Sequence, residues 1–187
     1  MLALGDVIFV TLALFTWVMV LAEGRPLTSY GLRRVQPGRF VLTMLMGLGA
    51  AAVYSVIPYL RLLTARTTPT PDGVVFALLF AVLGSAFPEE MIFRGYLQGS
   101  LGGRVSLWAR VAIPALIFTA VRAMRFWPDG GLGWPEWMGY IFGVALPLGM
   151  WWGLMRELSG GTIWACLLSH ILLELGPTLA GTSPALP

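Results

Sequence analysis

Apolar positions gather into six runs, at residues 2–22, 40–63, 74–99, 107–124, 137–154 and 162–180, with short connections rich in Gly, Pro and Arg between them. Each run is near the ~20 residues that cross about 30 Å of hydrocarbon. Inside a bilayer every backbone N–H and C=O must find its partner within its own segment, so each run predicts an α-helix. The expected fold class is all-α, a polytopic transmembrane helix bundle of about six spans. Residues 1–73 carry the first two helices and 74–180 the last four, as one structural unit. No internal repeat or low-complexity segment interrupts the pattern, and residues 181–187 are expected to fray.

Composition sharpens this picture. Of the 187 residues 57% are hydrophobic and 11% charged, which leaves little chain for a soluble domain. All 12 basic residues are arginine, and the net charge is only +3. Sitting mostly between apolar runs, they read as topology signals and lipid-headgroup contacts rather than a nucleic-acid surface, and no nucleic-acid partner is expected. The single cysteine, Cys166, excludes an internal disulfide and is expected to be an inert core residue. One Cys and one His cannot form a zinc-finger-like site.

No basic residue precedes the first run and Asp6 lies where one would be expected, so a retained first span fits better than a cleaved signal. Arg25, Arg33, Arg34, Arg39, Arg104, Arg110 and Arg156 lie in or beside the connections after the first, third and fifth runs; Arg61, Arg66 and Arg125 lie on the other side. The positive-inside rule then places both termini outside the cytoplasm; the expected location is a bacterial inner membrane, as a multi-pass protein. On the outer side, Trp127, Trp134 and Trp137 are expected to form an interfacial aromatic belt.

The chemistry concentrates in Phe87-Pro88-Glu89-Glu90-Met91-Ile92-Phe93-Arg94, which follows a stretch, residues 74–86, without an ionisable side chain. A carboxylate at the centre of a bilayer helix costs roughly 2.5–3.5 kcal/mol, so two in succession call for a partner charge, a water-filled cavity or chemistry. Glu90 and Arg94 are four residues apart, share a helix face and can form an ion pair. Glu89 points about 100° away, and is expected to face a cavity as a general base. The sixth run brings His170 and Glu174, again four apart, and the fourth brings Phe118 and Arg122. Mutual proximity in the bundle interior is the simplest way to satisfy all of these groups.

At Glu89-Glu90-x-x-x-Arg94, Phe118-x-x-x-Arg122 and His170-x-x-x-Glu174, the chain resembles the CAAX protease and bacteriocin-processing (CPBP, or Abi) family of intramembrane endopeptidases. The family's pattern is Glu-Glu-x-x-x-Arg, Phe-x-x-x-His and His-x-x-x-Asn or Asp. The flanks Phe93-Arg94-Gly95-Tyr96-Leu97-Gln98 and Gly161-Thr162-Ile163-Trp164 are similar to the family's as well. The resemblance implies a catalytic core in residues 74–180 and a glutamate-activated water that cuts a membrane-associated peptide or protein near its C-terminus. The substrate would be of CAAX type, bacteriocin-related or a C-terminal sorting segment. Carried over by position, Glu89 is the general base, Glu90 its neighbour held by Arg94, and His170 stabilises the oxyanion or assists the water.

Two positions depart from that pattern. Arg122 replaces the first histidine, and a guanidinium cannot accept a proton at working pH. Glu174 replaces Asn or Asp. Together they predict a charge-assisted pair across the fourth and sixth helices, with Arg122 available as an electrophile for the oxyanion. Although the family is often treated as metal-dependent, one His with carboxylates is a poor zinc set, and no metal or other cofactor is expected. The alternative function is a catalytically inactive immunity or scaffold protein; a small transporter using the acids as a proton relay ranks behind both.

Overall fold

The computed structural model describes residues 4–64, 70–125 and 133–179. Six helices follow one another: α1 (Leu4–Glu23), α2 (Pro37–Thr64), α3 (Pro71–Ser100), α4 (Leu107–Arg125), α5 (Trp134–Leu158) and α6 (Trp164–Leu179). A 3₁₀ turn, Leu27–Tyr30, lies between α1 and α2, and no strand occurs among the described residues. Four helices are long and apolar enough to cross a membrane, over Pro37–Val56, Pro71–Ser100, Leu107–Met124 and Trp134–Leu158. Among the described residues, shorter apolar stretches run over Leu14–Glu23 in α1 and Trp164–Gly176 in α6. Six helices stand where six runs predicted them, and among the described residues four of them qualify as spans by length and hydropathy.

Large apolar side chains such as Leu45, Val53, Leu83 and Trp108 stand exposed on the helix surfaces. In water such a surface would drive association; in a bilayer it is the ordinary lipid-facing side. The chain is an integral membrane protein. Trp134 is exposed and packs edge-on against Trp137, whose indole N–H donates to the Ala123 carbonyl at 3.0 Å, while Trp127 lies outside the described residues.

Proline shapes α3 and α5. Pro88 and Pro147 each lack an N–H and would press on the carbonyl one turn earlier. In both cases the preceding helix widens into a π-turn, Phe80–Ala86 before Pro88 and Ile141–Ala145 before Pro147. A second wide turn, Met91–Leu97, follows Glu90 directly. Glu89 and Glu90 therefore sit on a short α-helical step between two π-turns, a geometry that the uniform 100° per residue of the sequence reading does not describe.

The helices pack chiefly as α2 along α6 and α4 along α5. Close approach relies on small residues, as membrane helix contacts do. At Gly47 an added Cβ would come within 2.8 Å of Ser169 Cβ. Between the pairs lies a core that includes Phe93, Phe118, Leu148, Trp152, Met155 and Cys166. Cys166 is fully buried, as its apolar surroundings led us to expect.

The connection between α1 and α2 is pinned into the bundle. The Tyr30 hydroxyl donates to Glu23 at 2.8 Å, and burial first, then this bond to a carboxylate, pushes the Tyr30 phenol pKa up. Gly31 adopts φ +85°, and its carbonyl accepts from Ile163 N at 3.2 Å. Beneath it the Tyr30 carbonyl lies against Gly95 of α3, where an added Cβ would approach to 2.7 Å. Gly95→Val should therefore destabilise the protein by about 1–3 kcal/mol through overpacking, read as a lower unfolding temperature in detergent. Gly139→Ala, in open helical surroundings, should leave stability unchanged or slightly raised.

Candidate active site

Glu89, Glu90, Arg94, Arg122, His170 and Glu174, which the sequence singles out, arrive at one locus. Helix α3 contributes Ser85, Glu89, Glu90 and Arg94, α4 contributes Phe118 and Arg122, and α6 contributes Ser169, His170 and Glu174; α5 closes the back with Gly149 and Trp152. Glu90, Arg94 and His170 are at most 1% exposed, Glu89 and Arg122 at most 7%.

Arg122 is the hub. Its Nε and Nη2 both donate to Glu89 Oε2, at 3.2 and 2.8 Å, and Nη2 also lies 3.0 Å from Glu174 Oε1. His170 Nε2 at 3.1 Å and Ser85 Oγ at 3.4 Å complete the ring around the same nitrogen. Two N–H bonds are thus shared among four acceptors, the two carboxylates being nearest. The Arg122–Glu174 pair is the one predicted from the two sequence departures. The Arg122–Glu89 pair was not predicted: Glu89 does not face a cavity unpaired but meets the guanidinium directly across the α3–α4 contact. A carboxylate held this deep in hydrocarbon needs a counter-charge, and Arg122 is the nearest one.

A second brace stands behind the first. Arg94 Nη1 pairs with Glu90 Oε1 at 3.2 Å, Nη2 donates to the Gly149 carbonyl at 3.1 Å, and the guanidinium lies against the rings of Phe118 (4.8 Å) and Trp152 (5.2 Å). Glu90 Oε1 also lies 2.9 Å from His170 Nδ1. A carboxylate oxygen accepts, so Nδ1 carries a proton; Nε2 faces the donating Arg122 Nη2 at 3.1 Å, with Glu174 Oε1 at 3.6 Å and Glu89 Oε2 at 3.8 Å beyond it. On the Arg122 contact we assign His170 the neutral Nδ1–H tautomer, with Trp152 stacked on its ring at 4.3 Å.

The arrangement is a chain of alternating donors and acceptors, Arg94–Glu90–His170–Arg122, that ends on Glu89 and Glu174. The family model described as "Type II CAAX prenyl endopeptidase Rce1-like" matches residues 71–176, more than half of the sequence. The chain belongs to this family. Comparison with curated proteins and with solved structures gave no match.

The matched segment of this CAAX endopeptidase relative runs from the start of α3 into α6 and holds the whole charged cluster. Glu89, Glu90, Arg94, Phe118 and His170, the residues that carried the resemblance, all lie in it and come together in space. A divalent ion does not suit the residues present. Glu89, His170 and Glu174, the side chains that would bind one, surround Arg122 Nη2 at 2.8–3.1 Å, so a guanidinium already takes the position between them. A cation there would lie against a fixed positive charge.

Three contributors escaped the sequence reading. Ser85 is fully buried, lies one turn before Glu89 and donates to Glu174 Oε1 at 3.3 Å; that spacing is a usable signal. Trp152 and Ser169 bond to each other at 3.1 Å and fix the His170 ring from behind. Trp152 sits in a plain apolar run, where nothing distinguishes it from a packing residue.

Because Arg122 offsets two carboxylates, Arg122→Met should destabilise the protein by about 3–5 kcal/mol. Adding Glu89→Gln and Glu174→Gln to that variant should recover much of the loss, as read by thermal unfolding in detergent. A deficit of the same size in the triple variant would contradict the shared pairing.

Proposed function

We propose that this chain is an intramembrane endopeptidase that cleaves a membrane-associated peptide or protein near its C-terminus, with Glu89 activating the water. The observation that carries this reading is the convergence of Glu89, Arg122 and His170 from three helices within the segment matched to the CAAX endopeptidase family. In this mechanism Glu89 takes a proton from water as the oxygen attacks the scissile carbonyl, then delivers it to the departing amide nitrogen. Arg122 occupies Oε2, so Oε1, which has no hydrogen-bond partner among the described residues, is the oxygen that receives the proton. The N–H groups of Arg122 lie close enough to follow the negative charge onto the carbonyl oxygen, the part an oxyanion donor plays.

His170 then acts as a positioning residue. Locked by Glu90 through Nδ1, it presents Nε2 to Arg122 and orients the guanidinium, while Glu174 holds the same nitrogen from the next turn of α6. No metal or cofactor takes part. The arginine-bearing ends of α3 and α5 lie on the cytoplasmic side of a bacterial inner membrane, with both termini outside, and the substrate reaches the site from within the bilayer.

A second reading, an inactive member that holds a membrane partner in an immunity or scaffold role, is favoured by one observation: Arg122 occupies the space between the three acid and histidine side chains in the resting structure. The two readings separate on a peptide probe ending in a prenylated cysteine and three further residues, offered to the purified protein in lipid. An enzyme should lose about 10²–10⁴-fold of its cleavage rate in Glu89→Gln, at unchanged protein level. For Arg122→Gln the loss should be about 10²–10³-fold, in kcat more than in KM. Cleavage undiminished in Glu89→Gln would contradict the proposal. Wild type inert beside an active Arg122→His variant would establish the inactive reading.

A further inference from the structure

A second polar locus lies at the other end of α3, roughly 15 Å along the helix axis from Glu89. There a cavity of about 420 Å³ opens between the 3₁₀ turn, the end of α3, the start of α4 and the end of α5, lined by Arg33, Arg110, Arg156 and Glu157 with small residues between them. Its volume falls within the range of small-ligand pockets, roughly 300–1,000 Å³. None of these side chains takes part in the cluster around Arg122.

Three guanidinium groups here face one carboxylate. Glu157 is shared by Arg156 (3.1 Å), Arg110 (3.3 Å) and Gln98 (2.9 Å), so its charge is already divided. Arg33 donates to the Gly160 carbonyl and has no carboxylate partner among the described residues. Arg156 is 8% exposed, and its Nε is buried without a hydrogen-bond partner, as is the Nε of Arg110. The surplus of guanidinium charge lining an open cavity, three groups against one carboxylate, is what calls for an anion from outside the chain. The backbone makes room for the cluster: Gly160 and Gly161 adopt φ +79° and +84°, and a Cβ on Gly161 would collide with the Arg33 guanidinium.

We infer that this pocket binds a phosphate-bearing anion at the membrane boundary, held by Arg33, Arg110 and Arg156. Planar guanidinium donors match phosphoryl oxygens in pairs, and basic pockets between membrane helices suit anionic headgroups. The anion can be the phosphodiester of an anionic lipid or a free phosphate. Either neutralises the surplus charge and ties the α1–α2 connection to the ends of α3 and α5.

The test is thermal unfolding of the full chain in a mild uncharged detergent, titrated with phosphatidylglycerol, phosphatidylcholine or inorganic phosphate. A lipid headgroup site predicts stabilisation by phosphatidylglycerol at concentrations where phosphatidylcholine is without effect. A free phosphate site predicts the stabilisation with inorganic phosphate and no difference between the lipids. In both cases Arg33→Gln and Arg110→Gln, the more accessible of the three, should each raise the half-effective concentration about fivefold. Arg34→Gln, outside the pocket, should leave it unchanged. No stabilisation by phosphatidylglycerol or phosphate beyond that of phosphatidylcholine, or equal responses in Arg33→Gln, Arg110→Gln and Arg34→Gln, would overturn the inference.

Discussion

The guanidinium of Arg122, held between Glu89 and Glu174 and touching His170, makes the rest of this bundle possible. Three carboxylates and a histidine in a hydrocarbon slab could not stay ionised or fixed without an internal counter-charge. Arg122 supplies it across three helices at once, and the second arginine, Arg94, does the same for Glu90 one layer deeper. Helix association in a bilayer gains little from apolar burial, because lipid tails are as apolar as leucine. The charged chain from Arg94 to Glu174 therefore gives α3, α4 and α6 a specific reason to meet in this register.

The backbone of α3 is built for that meeting. A π-turn on either side of Phe87–Glu90 and the proline within it break the regular helix where the glutamates must diverge, one toward Arg122 and the other toward Arg94 and His170. The wide turns redirect side chains without an open loop that would expose backbone to lipid. Small residues then let the neighbours close in: Gly149 of α5 receives Arg94 on its carbonyl and packs against Phe118.

Much of this is legible in the sequence alone. Six apolar runs gave six helices, with ends shifted by a few residues, because hydrocarbon length and backbone satisfaction leave the chain no other choice. The Glu90–Arg94 pair followed from spacing alone, and the Arg122–Glu174 pair from two departures of opposite charge. What spacing could not give was the partner of Glu89, since a single-helix projection contains no neighbouring helix and assumes regular turns. Nor could it give the tautomer of His170, which depends on Glu90 and Arg122 approaching the two ring nitrogens from different helices. Trp152 was hidden for a simpler reason: in a chain that is 57% hydrophobic, one more aromatic carries no signal.

Membership of the CAAX endopeptidase family and the arginine at position 122 meet in this one histidine. His170 is the chain's single histidine, so selective ¹⁵N labelling gives one ring to observe. NMR of the labelled protein in detergent near neutral pH should find a protonated Nδ1 and an unprotonated Nε2 in wild type, with the Nε2 resonance displaced when Arg122 is replaced by methionine. A ring protonated on both nitrogens or on Nε2 alone, unaffected by the loss of Arg122, would contradict the guanidinium-centred account.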